Sequence, residues 1–530
     1  MKNITCDKSM TFDDCVLIIL RTAVDKAQKK IGKRIINSPS IKKIISIVED
    51  FIKKKKLICY GGTAINNILP EEDQFYDKEA EIPDYDFFSY NALKDAKELA
   101  DIYYKNGFTD VEAKSGQHYG TYKVFVNYIP VADLTNIPKE IFFRLKTDAI
   151  LKNGLYYAPP NFLRMNMYLE LSRPAGDTSR WEKVLKRLTL LNKHYPLTNL
   201  NCHQVDFQRK MANTSNQEKI YEIVKNTLVE EGVVFFGGYA ISLYSKYMPK
   251  NLGKKLKKIA DFDVLAYDPK KTAEKIKDHL NAQGIEKVEI VKREPVGEII
   301  PLHYEIMVDE DTIAFIYKPI ACHSYNVLNI NGKKVKIATI DTMLNFYLAF
   351  LYTNRPYYNE FFNRILCMAN FLYDVQQKNK LEQKGLLKRF SITCYGHQES
   401  VEEMRGEKAE KYNQLKREKN KDEFEKWFLN YKPGSTKAID NKQEKNSLKE
   451  LNKNKRNEFK ESNDDPNPKQ KKTIKNVNVK NVNVKNVKNI KNVKTNKKIT
   501  KKNTTKSKSF HFNVWNKKNN NKTKKSLSIY

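Results

Sequence analysis

The sequence predicts an α/β (α+β) fold in which one mixed domain occurs twice, the second copy degenerate, followed by helices and a basic tail. Two observations carry this. Glycine is scarce, 19 in 530 residues, yet it is doubled twice, at Gly61-Gly62 and Gly237-Gly238, each time behind a helix-like run and a short apolar run. The same landmarks then recur in order: Asp84-Tyr85-Asp86 and Asp261-Phe262-Asp263, His118-Tyr119 and His303-Tyr304, Asn166-Met167-Tyr168-Leu169 and Asn345-Phe346-Tyr347-Leu348. Counting the glycine pairs first, the offsets are 176, 177, 185 and 179 residues. A period this long is not that of a solenoid. It predicts a tandem duplication with domains at 1–190 and 191–385, a helical segment at 386–435 and a tail at 436–530.

In order along the chain, Ser40–Ile52 is apolar at helical spacing, Leu57–Tyr60 is a short apolar run suited to a buried strand, and Ala64–Leu69 is helical again. The mainly apolar Val124–Ala132 predicts one strand ending at Asp133. The second copy repeats the pattern with a helix over Glu218–Leu228 and a strand over Val233–Phe236. From Glu399 to Lys426 Glu, Lys and Arg interleave as in polar helices, with an apolar anchor at Trp427-Phe428.

The formal charge is +33, from 96 Lys+Arg against 63 Asp+Glu. After Asp440 there are 27 basic and 6 acidic residues, so only +12 belongs to the preceding 440. From Pro466 onward there is no acid and 20 Lys, and Asn-Val-Asn-Val-Lys at 476 is repeated at 481. Such a tract cannot bury enough apolar surface to offset its ordering entropy and is expected to be disordered. Two roles stay open for it: salt-dependent affinity for a polyanion, or a compositional expansion with none. The first residues have no apolar signal core, and apolar runs such as Val16–Leu20 fall far short of a membrane span. Seven cysteines, scattered and without a Cys-x-x-Cys pair, fit reduced thiols and argue against zinc.

Gly61-Gly62-Thr63 between a strand and a helix can hold a phosphate: glycine admits close backbone approach, and the helix start offers free N–H groups beside the Thr63 hydroxyl. Alone, the tripeptide is equally an ordinary tight turn. Asp84 and Asp86, two apart on a strand, point to one face. With Asp133 they form three acids that repel one another and want a cation, and hard oxygen ligands select Mg²⁺. Two such ions activate an attacking hydroxyl and hold the leaving oxygen in phosphoryl-type transfer.

This pattern, Gly-Gly-[Ser/Thr], then Asp-x-Asp, then a third Asp on a later strand, resembles the polymerase-β-like nucleotidyltransferase superfamily. The stretch Met167–Val184, with Ser172-Arg173-Pro174 inside it, is similar to the poly(A) polymerase catalytic subunits of large cytoplasmic DNA viruses. The giant-virus, mimivirus-type members are nearest, and the poxvirus enzyme is a more distant kin. The resemblance covers roughly residues 35–430. It implies a duplicated nucleotidyltransferase fold and template-independent addition of AMP from ATP to the 3′ end of viral mRNA, with release of pyrophosphate. Asp84, Asp86 and Asp133 become catalytic metal ligands for Mg²⁺ or Mn²⁺, with Asp133 nearest the RNA 3′-hydroxyl. Gly61, Gly62 and Thr63 hold the triphosphate. Arg173 and Arg180 are offered to phosphates, with ion pairs to Glu170, Asp177 or Glu182 the alternative. His118 is a strand-edge residue. The resemblance favours a homodimer acting without a membrane in the host cytoplasm, in the viral factory, with packaging in the virion a further option. In the second copy Tyr239 replaces Thr63, putting a phenol in the triphosphate space, and Phe315 replaces Asp133; Asp309 and Asp311 are the only nearby substitutes for the lost acid. That copy is expected to serve structure, RNA contact or dimer formation. Alternatives are another RNA-tailing nucleotidyltransferase, or a catalytically dead RNA-binding or processivity scaffold.

Overall fold

In the computed structural model, residues 6, 9–197, 202, 205–209, 211, 215–248, 259–353, 355, 362–379 and 382–434 are described. The tail expected at 436–530 lies outside them.

Helix α1 (Phe12–Ile36) starts at Thr11, whose hydroxyl oxygen accepts the Asp14 amide, and α2 (Pro39–Lys55) starts likewise at Ser38, with Pro39 preset for a first turn. Ile41, Ile44, Val48, Phe51 and Ile52 of α2 are buried at helical spacing. Then come β1 (Ile58–Tyr60), α3 (Gly61–Ile68), β2 (Tyr85–Ser89), α4 (Ala92–Lys105), β3 (Val111–Ser115), β4 (Thr121–Val126), β5 (Ile129–Asn136), α5 (Lys139–Thr147), β6 (Ile150–Lys152), β7 (Leu155–Tyr157), α6 (Pro160–Leu171) and α7 (Trp181–His194).

The second half runs α8 (Gln217–Glu230), β8 (Val234–Phe235), α9 (Gly238–Leu243), β9 (Phe262–Leu265), α10 (Pro269–Ala282), β10 (Val288–Arg293), β11 (His303–Val308), β12 (Asp311–Tyr317), β13 (His323–Ile330), β14 (Lys333–Ala338), α11 (Ile340–Phe350) and α12 (Phe362–Lys378). β15 (Cys394–Tyr395), α13 (Val401–Glu418), α14 (Lys421–Phe428) and β16 (Asn430–Tyr431) complete the described chain.

The two sheets have the same topology. The first is ordered β16-β3-β4-β5-β2-β1-β7-β6 and the second β10-β11-β12-β9-β8-β14-β13-β15. Without the two-residue edge strands β16 and β15, every strand of one sheet has a counterpart in the other, and the pairings share direction: β1 with β2 and β8 with β9 antiparallel, β2 with β5 and β9 with β12 parallel. Even the register irregularity recurs, at Val124/Phe125 and at Ile306/Met307. Helices α6 and α11, which carry the two Asn-x-Tyr-Leu landmarks, occupy equivalent places and pack on each other, with Asn345 Nδ2 donating to the Met165 carbonyl at 3.2 Å.

Four sequence expectations change. Val124–Ala132 is a hairpin: Asn127 and Tyr128 take left-handed φ of 49° and 64°, and the chain reverses there. Asp133 therefore lies within β5 instead of ending a longer strand. Residue His303 pairs with Tyr317 as Thr121 pairs with Thr135, so His303 answers to Thr121, and the outlying offset of the histidine pair was a coincidence. The 401–431 stretch returns to the first half, where β16 pairs with β3 and Trp427 packs on Tyr119 with ring centroids 4.6 Å apart. Finally, disulfides join Cys6 to Cys15, Cys202 to Cys367 and Cys322 to Cys394, leaving Cys59 free and buried. Two of these pairs are separated by 165 and 72 residues, which sequence spacing cannot reveal.

Candidate active site

β1 delivers the chain to Gly61, whose φ of +73° turns it into α3. Glycine is needed there twice over: L-residues resist that conformation, and a Cβ would collide with the Asp86 carboxylate. Gly62 is crowded differently, since a Cβ would meet the Tyr76 hydroxyl and the Arg187 guanidinium. Thr63 is buried, and its hydroxyl donates to the Asp84 carbonyl at 2.6 Å, fixing the start of β2 against α3. Its proton is thus committed to the backbone, not held out for a phosphate.

Asp84 is exposed just ahead of β2. Asp86, half-buried within β2, stands opposite Asp133 of β5 and Tyr60 of β1 in the strand register. Burial, then the charges of Asp84 and Asp133, push the Asp86 carboxyl up to about 7, against the opposing pull of Lys123 and Arg180. Burial and Asp133 likewise raise Asp84. Neither carboxylate has a hydrogen-bond donor or ion-pair partner among the described residues. Asp133 pairs with Lys123, its register partner on β4.

Among the described residues no three His, Cys, Asp or Glu groups converge into a metal-holding cluster, and Asp133 is turned to Lys123 instead. The chemistry of the donors still fits a hard divalent cation. They are oxygens only, two of the three have no partner among the described residues, and burial together with their mutual repulsion raises Asp86.

The two arginines separate. Arg180 ion-pairs with Glu170 at 3.3 Å, the local alternative, while its charge also reaches Asp86. Arg173 donates through Nε to the Leu169 carbonyl at 3.3 Å, and its charge registers at Glu298 and His323 of the second half. His118 sits in the turn between β3 and β4, away from the acids in register.

Sequence reasoning missed Arg187. Its Nη2 donates to the Tyr76 hydroxyl at 2.6 Å, and its guanidinium lies 4.7 Å from the Phe75 ring centroid and 5.4 Å from that of Tyr76. No carboxylate pairs with it among the described residues. A half-buried cation is thereby held beside Gly62, at the N-terminus of α3. The available signal was spacing: Arg187 lies about two helical turns after Arg180, which immediately precedes α7.

A cavity of about 900 Å³ opens behind Thr63 and Asp84, lined also by Lys33, Lys42, Glu49 and Lys152. Of the three acids only Asp84 lines it; Asp86 and Asp133 do not.

The second half keeps the frame and replaces the contents. Asp263 stands in register with Phe315 as Asp86 does with Asp133. Asp261 and Asp263 are buried, and Arg209 from the inter-repeat stretch fills the space between them, 3.2 Å from Asp261 and 3.3 Å from Asp263, with its guanidinium 4.7 Å from the Phe315 centroid. Burial and Asp261 push Asp263 up, and Arg209 pulls it back. The two carboxylates press so closely on the turn that a Cβ on Gly237 or Gly238 would collide with them. Tyr239 does not block a triphosphate space as expected. It is buried against Phe235 and Phe262, centroids 4.9 and 5.8 Å away, so the obstruction comes from Arg209 and the acids themselves. Asp309 sits in the β11–β12 turn, ion-paired to Lys287 at 3.5 Å, and Asp311 starts β12; neither stands opposite Asp263.

Comparison with known proteins follows this geometry. Residues 46–177, which contain the glycine turn and all three acids, match the family model of the poly(A) polymerase catalytic subunit. Over 180 residues the chain is 36% identical to a putative poly(A) polymerase catalytic subunit of African swine fever virus, covering 33% of this chain and 38% of that protein. Over 216 residues it is 29% identical to the corresponding putative subunit of Acanthamoeba polyphaga mimivirus, covering 40% and 35%. The chain thus spans little more than a third of the length of these relatives. The solved structure of the Megavirus polyadenylate synthase superposes with a TM-score of 0.67 at 20% identity, over 85% of this chain and 92% of that one. The duplicated fold is shared with that protein.

Proposed function

We propose that this chain is a template-independent polyadenylate polymerase that extends the 3′ end of viral mRNA with AMP from ATP. One observation carries the reading: Asp86, in register with Asp133, lies against the glycine turn, and it and Asp84 have no cation partner among the described residues, whereas the second half neutralises its equivalents with an arginine. The catalytic domain is assigned to residues 1–190, the degenerate copy to 191–385, and the helical segment to 386–435.

Asp84, Asp86 and Asp133 would hold divalent metal, Mg²⁺ or Mn²⁺, which would stabilise the negative charge developing on the attacking and leaving oxygens. Lys123 balances the charge of Asp133. The α3 amides behind Gly61 and Gly62 receive the triphosphate, with Arg187 adding a fixed positive charge and Arg180 a second. The RNA 3′-hydroxyl, placed near Asp133, gives up its proton to water as its oxygen bonds to the α-phosphorus and that phosphorus loses its bond to the bridging oxygen of the β-phosphate; pyrophosphate leaves. The structural role of Thr63 is to hold Asp84 in place through its carbonyl.

The proposal includes a homodimer acting on RNA in the host cytoplasm, with packaging in the virion as a further part of it. Among the described residues no helix is long and apolar enough to cross a membrane. The test is extension of an RNA primer by the purified full chain with each of the four nucleotides in turn. Polyadenylation predicts growth with ATP alone; equal use of other nucleotides would make it a different tailing enzyme, and no growth with any would favour an RNA-binding scaffold.

A further inference from the structure

The sheet face that carries the acids has a second row beside them. Burial alternates along β4 and the middle of β5, so Thr121 and Lys123 share one face, as do Asp133 and Thr135. The register sets Asp86, Asp133 and Lys123 in one line and Phe88, Thr135 and Thr121 in the next, about 7 Å along the strands. Tyr60 of β1 lays its ring on Phe88, centroids 3.9 Å apart and 7° from parallel. Its hydroxyl thereby reaches that of Thr135 at 2.8 Å, and the Thr135 hydroxyl lies 3.2 Å from that of Thr121. Three hydroxyls are chained beside the acids, and the charges of Asp86, Asp133 and Asp84 are all felt at the Tyr60 phenol.

The chain is not saturated. Three hydroxyls bring three donors and six acceptor lone pairs, and two internal bonds use only two of each. All three residues are half-buried, so the remaining capacity is within reach of a ligand. The second half closes the same row. Its equivalents, by register and by position before the glycines, are His303 for Thr121, Tyr317 for Thr135 and Phe236 for Tyr60. These are fully buried and packed ring on ring, with Tyr317 4.5 Å from His303 and 5.4 Å from Phe236 between centroids. Cross-strand threonine pairs also stabilise sheets. A sheet that needed only packing here would be served by either solution, yet the accessible hydroxyls accompany Asp133 and the rings accompany Phe315.

We propose that Thr135, flanked by Tyr60 and Thr121, receives the 2′-hydroxyl of the RNA 3′-terminal ribose and so distinguishes an RNA end from a DNA end. This rests on the proposed function, which puts the 3′-hydroxyl at Asp133. The 2′- and 3′-oxygens of a ribose sit on adjacent carbons, so a sugar held at Asp133 brings its 2′-hydroxyl to the same face, where the next groups along β5 are these hydroxyls. A 2′-hydroxyl both donates and accepts, as the row does. A second phosphate would be repelled by the acids alongside.

The experiment gives the full chain two primers that differ only in the terminal sugar, ribose or 2′-deoxyribose, and measures both extension with ATP and equilibrium binding. Wild type should prefer the ribose end by on the order of tenfold in kcat/KM, the worth of one hydrogen bond. Thr135→Val, which keeps the shape and removes the hydroxyl, should bring that ratio toward one. Tyr60→Phe, which keeps the ring on Phe88, should lower it in part. A wild type indifferent to the sugar overturns the inference and leaves the proposed activity standing. So does a Thr135→Val that slows both primers alike with the ratio intact, the mark of a purely structural threonine. If the chain extends neither primer, the proposed activity falls and binding decides the inference: a ribose preference that Thr135→Val abolishes supports it, and equal affinities overturn it.

Discussion

Arg209 lies between Asp261 and Asp263 in the second half, 3.2 and 3.3 Å from their carboxylates, at the level where Asp86 in the first half has no ion-pair partner among the described residues. One fold therefore carries two solutions to the same electrostatic problem. Buried acids need compensation. The second half supplies it permanently from its own chain, and the first leaves it to be supplied from outside.

Arg209→Ala should destabilise the protein by about 3–5 kcal/mol, since two buried carboxylates lose their counter-charge. Adding Asp261→Asn and Asp263→Asn should recover most of that loss. Chemical denaturation of the three proteins checks it, and a silent Arg209→Ala would mean the ion pairs do not hold the inter-repeat stretch to the second half.

Arg187 should act on ATP and not on RNA. Arg187→Ala should raise the KM for ATP by roughly 10- to 100-fold, the worth of a charge-assisted hydrogen bond, with the RNA KM unchanged. Arg187→Lys should recover part of the loss, because lysine keeps the charge without the planar fork. Steady-state kinetics with each substrate varied in turn decides the matter; a parallel rise in both KM values would point to a structural role for the Tyr76 contact.

Much of this was legible in the sequence because it rests on short-range pattern. Doubled glycines in a glycine-poor chain mark turns, and Asp-x-Asp marks a strand face; the duplication and the substitution of Phe315 for Asp133 follow from these, while the register of Asp86 with Asp133 came from the structure. What escaped depends on tertiary placement. Asn127 and Tyr128 carry no glycine, so the hairpin between β4 and β5 looked like one strand. Tyr239 looked like an obstruction because its direction relative to the turn is set by packing on Phe235 and Phe262. Arg209 and Arg187 come from segments 52 and 125 residues away from Asp261 and Gly62, and only the folded chain brings them there.

The second half should also make the protein sensitive to acid. Burial holds His303 down to about 4 and His323 down to about 3, so both are neutral in the fold and protonate near 6.5 when unfolded. A depressed folded value means the contribution to stability is fully present above about pH 6.5 and declines as pH falls toward the folded values. Neither ring nitrogen of His323 has a hydrogen-bond partner, and its ring packs on Phe346, centroids 5.2 Å apart. His323→Phe should therefore preserve packing and flatten the decline between pH 6.5 and 4 by roughly 1.4 kcal/mol per unit. Melting curves across that range measure it; an unchanged slope would contradict the neutral, buried state of His323.

The most direct test compares RNA primer extension by the full chain carrying Asp133→Asn with that carrying Asp263→Asn, at saturating ATP and RNA with Mg²⁺ or Mn²⁺. If the first half performs the chemistry, Asp133→Asn should lose on the order of 10³-fold in rate while remaining folded, and Asp263→Asn should extend at close to the wild-type rate. Normal extension by Asp133→Asn, or its loss in a folded Asp263→Asn, would place the reaction in the wrong half of the molecule and contradict the assignment.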